Sequence, residues 1–402
     1  MRAEAGPAPM GDTRPDSSGA LARCVGDTRR FLDSRWAQGV HLHRGGRAGG
    51  LLDVDDVERI VESTALRAPA FRLVKGGMTL DAASCTRRAR IGSRTVTDLI
   101  DVGRVYDHLA TGATLVLQGL HRYWPPVGDL CRDLEDTLTH PVQANAYITP
   151  PVAQGLNVHA DRHDVFALQT HGSKQWVVYE GDQQPGADGS SGAPTLDAQL
   201  HPGDCLYLPK GVHHAARTVD SFSIHLTLGV RAVTWADVLA TAVEHAASDH
   251  SLQQALPAGF AREPEALAEE AGRRLRTLVE RLTPVDAAEA LAKTAHGFWS
   301  SRPPPLRGQL RQLIELADID DATLVRPRSG IQGEITEDGH TVQLALADRT
   351  LRLPASAEPA LRAALRPGGL KVADLSEHLD PAGRVTLVRC LVREGALMVV
   401  DG

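Results

Sequence analysis

The chain has 402 residues and a formal net charge of −7, with 42% hydrophobic and 23% charged residues. That length exceeds one ordinary core, so two or three domains of soluble, globular composition are expected. No apolar run approaches the ~18 residues of a membrane span, and the net charge of −7 gives no general footprint for nucleic acid, whose binding is not expected. The five cysteines are scattered and include no CxxC pair. They read as free thiols of a reducing, cytoplasmic compartment, not as a disulfide framework or a zinc site.

In chain order, residues 1–20 lack the apolar core of a signal peptide and read as a disordered leader. A short helix is expected between Ala20 and Gly46, around Phe31, Leu32 and Trp36. Leu51–Leu66 predicts a second helix, capped by Asp53 or Asp55, with Val57, Ile60 and Val61 at helical spacing. Phe71–Lys75 alternates as a strand, Thr97–Leu109 reads as a helix and Ala113–Gln118 as a buried strand. A turn through His121, Tyr123 and Trp124 leads into a helix over Val127–Leu138. Strands then dominate to about residue 230, between turns at Pro150-Pro151, Pro202-Gly203 and Pro209–Gly211. Many short strands closed into a double sheet make a jelly roll. Asp182–Thr195, rich in Gly, Pro and Ser, reads as a flexible loop at its mouth.

From Thr234 the pattern becomes helical, in three stretches punctuated by Pro257, Pro264 and Pro284. From Ile319 it changes again. Thr323–Pro327, Ile331–Ile335, Thr341–Ala345 and Thr350–Leu353 read as strands and Pro359–Leu365 as a helix. The segment Val372–His378, a helix Ala382–Glu394 and a strand Ala396–Val400 complete the chain. Helices closed by a terminal strand look like a winged helix. Residues 319–402 hold ten Lys/Arg against twelve Asp/Glu, so the electrostatic footprint of DNA binding is missing and an interaction or structural module is expected.

The chemistry concentrates in GLNVHADRHDVFALQTHGSKQWVVYE, residues 155–180. His159 and Asp161 are two apart, so on an extended strand they share a face. Asp161 and His163 are also two apart, and the pair His213 and His214 follows the strand Cys205–Leu208 and a Pro/Gly bend. Two histidines and one carboxylate on one face suit octahedral Fe(II) with open positions. Lys174 alternates with Trp176 and Val178, where it is either a surface side chain lying over apolar neighbours or a buried cation awaiting an anionic partner.

These motifs, in this order, resemble the JmjC-type cupin oxygenases, and within them the ribosomal oxygenases. The resemblance rests on His159-x-Asp161 with Val165-Phe166, on Gly172-Ser173-Lys174-x-Trp176, on Pro202-Gly203-Asp204 and on His214. Ala144–Pro150 and Ser223-x-His225-Leu226-Thr227 extend it, so that it covers about residues 110–230. The family pattern selects His159, Asp161 and His214 as metal ligands and leaves His163 and His213 as supporting or surface groups. It implies Fe(II) as the metal and 2-oxoglutarate as cosubstrate. Lys174 then holds the distal carboxylate, with Asn145, Tyr147 and Ser223 as polar neighbours. The implied fold class is α+β. A double-stranded β-helix (JmjC cupin) core spans 21–233, a helical dimerisation region 234–318 and a winged-helix-like domain 319–402. The implied activity is hydroxylation of an Arg- or His-type side chain in a protein or peptide by a homodimer. A tailoring hydroxylase of a biosynthetic peptide and a JmjC-type demethylase are alternatives of the same chemistry. A cupin scaffold for protein interaction is the non-catalytic one, and retention of all three ligands and of Lys174 speaks against it.

Overall fold

The computed structural model describes residues 19–400 apart from 48, 152, 180–192, 219–220, 283, 305, 329–333, 338 and 347. The expected leader lies almost wholly outside the described residues, as do most of the Asp182–Thr195 loop and the start of the expected Ile331–Ile335 strand. The chain divides into two compact units, 1–232 and 233–402.

The first unit opens with two helices in place of the one expected, α1 (Ala20–Val25) and α2 (Thr28–Ser34). Gly26, at φ 73°, ends α1 in a conformation that other residues resist. The Asp27 carboxylate then accepts the Arg30 N–H and starts α2. Strand β1 (His41–His43) follows. In α3 (Val54–Ser63), Asp53 and Asp56 form a reciprocal capping box, and Val57, Ile60 and Val61 are buried as their spacing requires. Next come β2 (Phe71–Lys75), β3 (Met78–Thr79), β4 (Thr86–Ile91), β5 (Arg94–Ile100) and α4 (Val102–Ala110). The helix expected over Thr97–Leu109 is therefore too long at its start. Thr97–Ile100 pairs with β4, and the helix begins only where Asp101 accepts the Arg104 N–H. Long-range strand pairing overrides the local helical pattern there.

Strand β6 (Thr114–Leu117) and helix α5 (Pro125–Leu138), with proline in its first turn, lead into the barrel. The barrel strands are β7 (Val142–Thr149), β8 (Gln154–Ala160), β9 (Asp164–His171), β10 (Lys174–Tyr179), β11 (Leu196–Leu200), β12 (Cys205–Leu208), β13 (His213–Arg217) and β14 (Ser223–Val230). They form an eight-stranded sheet, β1-β12-β9-β14-β7-β6-β2-β3, and a four-stranded sheet, β11-β10-β13-β8. Val165 and Ala167 of the large sheet pack with Trp176 and Val178 of the small one, closing the jelly roll. A second apolar layer joins the large sheet to the helices through Phe31, Ile60, Leu117, Leu134, Phe166 and Leu228.

Two turns of the barrel are tied together. The Asp164 carboxylate, 4% exposed, accepts the Tyr207 hydroxyl at 2.9 Å and the Lys210 N–H at 2.7 Å. The Gly211 N–H donates to the Asp161 carbonyl at 2.9 Å. The Tyr207 oxygen also accepts the Ala37 N–H at 2.9 Å, so one phenol links the N-terminal segment to both turns.

The second unit contains α6 (Trp235–Ala246), α7 (Ala268–Arg281), α8 (Pro284–Ser300) and α9 (Gln309–Ile314), the first three close to the expected helical stretches. Val238 and Ala242 of α6 pack on Ala290 of α8. The strands β15 (Leu324–Pro327), β16 (Glu334–Glu337), β17 (Thr341–Ala345) and β18 (Thr350–Pro354) follow. Helix α10 (Glu358–Ala364), strand β19 (Leu370–Lys371), helix α11 (Pro381–Arg393) and strand β20 (Leu397–Val399) complete the unit. The sheet β19-β15-β20 and the sheet β16-β17-β18 share a core with α10 and α11, through Val325, Leu344, Leu361 and Leu391. Helix α9, placed with the helical region in the sequence reading, is tied instead to this C-terminal core. The Gln312 side-chain oxygen accepts the Val399 N–H, and the Gln309 amide donates to the Val392 carbonyl.

Tyr207→Phe keeps the ring but leaves a buried carboxylate short of one donor and the Ala37 N–H without its acceptor. A loss of about 1–3 kcal/mol in unfolding free energy is expected, read as a lower urea midpoint at unchanged slope.

Candidate functional site

Pairing register brings the ligand set together. His214 lies opposite His159 on β8 and opposite Val178 on β10. Cross-strand partners share a face, so both imidazoles join Lys174, Trp176 and Val178 on the inner side of the small sheet. Asp161 follows one residue after the end of β8. The three donor atoms lie within 4.8 Å of one another; the two rings are 4.5 Å apart, and His214 Nε2 is 3.6 Å from Asp161 Oδ2.

The ring orientations are fixed by one repeated device. His159 Nδ1 is 2.8 Å from the carbonyl of Asn157, and His214 Nδ1 is 3.0 Å from the carbonyl of Val212, each two residues back. A carbonyl only accepts, so each Nδ1 carries the hydrogen and each Nε2 offers a lone pair to the shared point. Burial holds the His214 imidazole below its ordinary pKa, which favours the neutral form a metal requires. His214 is buried, whereas His159 and Asp161 are half-buried, so the site is approached from their side.

A cavity of about 160 Å³ joins this triad to Lys174. Lys174 is 2% exposed and donates to the Thr149 hydroxyl at 3.0 Å, which itself contacts Thr114 at 3.2 Å. Among the described residues no carboxylate pairs with this ammonium, and burial pushes its pKa down to about 7. Of the two roles open to Lys174 in the sequence, the buried one is realised. Asn145 and Tyr147 line the same cavity. Asn145 accepts the Gly119 N–H through its oxygen and keeps its amide hydrogens for the cavity. Tyr147 stacks on His225 at 4.9 Å and 6°.

Ser223 lies opposite Thr149 in the register of β14 and β7. It is fully buried, its oxygen accepts the Gln169 amide at 2.9 Å, and it is not among the residues lining the cavity. His163 was expected to be a supporting or surface group. It stays outside the triad but forms part of the cavity wall, in space that Gly229 leaves open, since a Cβ there would come within 2.3 Å of His163 Nε2.

Three residues without an assigned role belong to the site. Thr149 holds Lys174, and Trp176 and His225 line the cavity. Among the described residues Trp176 Nε1 and His225 Nδ1 are buried with no hydrogen-bond partner, the condition that a polar guest relieves. Burial, with Lys174 nearby, holds His225 neutral. The signal for Thr149 and His225 was present, because both sit inside the motifs that carried the resemblance. Their partners are non-local, and spacing does not show them.

Comparison with known proteins agrees with this geometry. Residues 126–238 match the JmjC domain family. A bifunctional lysine-specific demethylase and histidyl-hydroxylase NO66 of Drosophila persimilis is 34% identical over 132 residues, 31% of this chain and 19% of the relative. The NO66 of Branchiostoma floridae is 31% identical over 163 residues, 39% of this chain and 25% of the relative. The chain thus spans a quarter or less of these relatives. The Escherichia coli ribosomal oxygenase YcfD, solved with cobalt and 2-oxoglutarate, superposes over 93% of this chain and 98% of its own, with TM-score 0.53 at 17% identity. That likeness shows a shared fold.

The lowered Lys174 pKa has a signed consequence. Between about pH 7 and the ordinary lysine value of 10.5, the unfolded chain binds a proton that the folded ligand-free chain does not, so stability from this group rises with pH. Its destabilisation is fully present below pH 7. Lys174→Met should therefore be more stable than the parent at pH 6.5, with the difference shrinking toward pH 10 in paired urea titrations. A difference independent of pH would show that Lys174 does not titrate in this way.

Proposed function

We propose that this JmjC-domain protein is an Fe(II)- and 2-oxoglutarate-dependent dioxygenase that hydroxylates an Arg- or His-type side chain of a protein or peptide. One observation carries the reading. A buried lysine with no carboxylate partner among the described residues shares a small cavity with a His–Asp–His set whose Nε2 atoms are already aimed. A metal-binding cupin without a cosubstrate has no need of that uncompensated cation.

The residues fit both groups. His159, Asp161 and His214 match the two-imidazole, one-carboxylate set suited to iron with open positions. Lys174, steered by Thr149, would take the distal carboxylate of the diacid, while Trp176 Nε1 and His225 Nδ1 await polar partners in the same cavity. Bound there, iron supplies oxygen activation and the diacid supplies the reducing electrons, leaving succinate and carbon dioxide. The chain's own contribution is orientation and the exclusion of water. The carbonyls of Asn157 and Val212 hold the rings, and the buried floor of Val165, Trp176 and Val178 keeps solvent out. Demethylation shares this chemistry, and the NO66 relatives bear both activities in their name.

A cytoplasmic homodimer is part of the proposal. On α6, Trp235 and Leu239 are 75% and 58% exposed, and on α7, Leu275 and Val279 are 60% and 59% exposed. Residues four apart on a helix form one stripe, and an apolar stripe left to water is normally covered. A second copy of the chain is the commonest cover.

Two experiments test the activity. Incubation with Fe(II), 2-oxoglutarate and candidate peptides should add one oxygen atom by mass spectrometry, whereas loss of a methyl group would select demethylation. His159→Ala should abolish 2-oxoglutarate turnover. Lys174→Ala should raise the apparent 2-oxoglutarate constant by roughly ten- to a hundredfold with metal affinity nearly unchanged. Normal turnover in His159→Ala would remove the assignment. For assembly, light scattering at micromolar concentration should give a dimer mass, reduced to the monomer by Leu275→Glu combined with Val279→Glu.

A further inference from the structure

The hairpin of β4 and β5 serves neither the barrel nor the cavity. It forms a two-stranded sheet of its own, and its root is fixed to the body. The Ala68 N–H donates to the Asp98 carbonyl, the Ile100 N–H to the Leu66 carbonyl and the Asp101 N–H to the Cys85 carbonyl, while Thr86, Leu99 and Ile100 are buried. Beyond that root, from Arg87 to Thr97, no residue is buried. This stretch reads RRARIGSRTVT and holds four arginines and no acid, in a chain whose net charge is −7.

The four guanidinium groups are exposed, and none pairs with a carboxylate among the described residues. Arginines at the root behave otherwise: Arg67 pairs with Asp98 at 2.8 Å and Arg104 with Asp101 at 3.4 Å. The charge is spread around the ribbon. Register sets Ile91 opposite Arg94 and Arg90 opposite Thr95, so arginine projects from both faces, and a bulge falls between Arg87 and Ala89. Such a ribbon is not a flat patch suited to an acidic protein surface. It suits a groove walled by phosphate on both sides.

We propose that this hairpin is an arm that binds folded RNA through its phosphates. Arginine alone, with no lysine in the stretch, favours a bidentate phosphate contact and stacking on unpaired bases. The exposed hydroxyls of Ser93 and Thr95 flank Arg94, with the exposed Thr97 two residues on, and they can pair with ribose 2′-hydroxyls that DNA lacks. The acidic whole-chain balance hides this arm because it averages a local charge of +4 over 402 residues. The inference is independent of the oxygenase reading, since no arm residue lines the cavity.

The test uses the full chain and a fluorescein-labelled RNA stem-loop of about 20 nucleotides with a bulge, read by anisotropy across a KCl series. Four phosphate contacts should give a log–log salt slope of roughly −3 to −4. The variant R87Q/R88Q/R90Q/R94Q should bind at least tenfold more weakly and lose most of that slope. The corresponding four-lysine variant should keep the slope while losing affinity. Release of succinate from 2-oxoglutarate by the glutamine variant should match the parent, which shows a folded barrel and separates this test from that of the oxygenase. Equal binding of parent and glutamine variant would overturn the proposal. So would displacement of the RNA by poly-glutamate of equal charge, which would make the partner an acidic protein, or equally tight binding of the DNA stem-loop.

Discussion

The site depends on a tie between two turns. Asp161 leaves β8 at one turn, and His214 enters β13 just after another. Nothing local in sequence sets their separation. The Gly211 N–H donates to the Asp161 carbonyl, and the Asp164 carboxylate gathers the Lys210 N–H and the Tyr207 hydroxyl. A buried carboxylate with strong donors resists displacement, since moving either turn leaves charge unpaired in a low-dielectric interior. The three candidate ligands thus inherit the rigidity of an interaction in which none of them takes part through its side chain.

On that frame the cavity is arranged to cost stability until it is filled. Lys174 is buried against a threonine hydroxyl, and among the described residues Trp176 Nε1 and His225 Nδ1 lack partners. Each is a group that solvent would have satisfied in the unfolded chain. The surrounding layers offset the cost: Val165, Ala167, Val178, Leu206 and Leu208 are essentially excluded from solvent around the same floor. On the proposed function, a diacid that meets these groups would recover what folding left unmade.

Much of this was legible in sequence. Alternation identified Phe71–Lys75 and Lys174–Tyr179 as strands, an apolar run after a Pro-Gly-Asp turn identified Cys205–Leu208, and the structure places strands over those same residues. His159 and Asp161 do lie together with His214, although Asp161 falls one residue beyond the end of β8 and the strand alone does not set its direction. The departures share one cause. The hairpin of β4 and β5 was read partly as helix, the bond of Ser223 to Gln169 was not foreseen, and Thr149 and His225 were given no role. In each case the deciding partner lies far away in the chain: β4 for Thr97–Ile100, β9 for Ser223, β10 for Thr149. Periodicity reports which face a residue occupies, and the identity of the facing residue is a property of register.

Charge followed the same logic at a larger scale. A whole-chain balance of −7 is a sound statement about solubility, but electrostatic attraction is felt over about a Debye length, roughly 8–10 Å at physiological salt. From Arg87 to Thr97 the hairpin carries four exposed guanidinium groups that pair with no carboxylate among the described residues, while acids such as Asp321 and Glu270 are held in ion pairs of their own with Arg384 and Arg274. An acidic partner approaching the arm therefore meets a cation whatever the net charge of the rest. Composition decides how a protein behaves in bulk, and the topology that isolates one ribbon decides what that ribbon can bind.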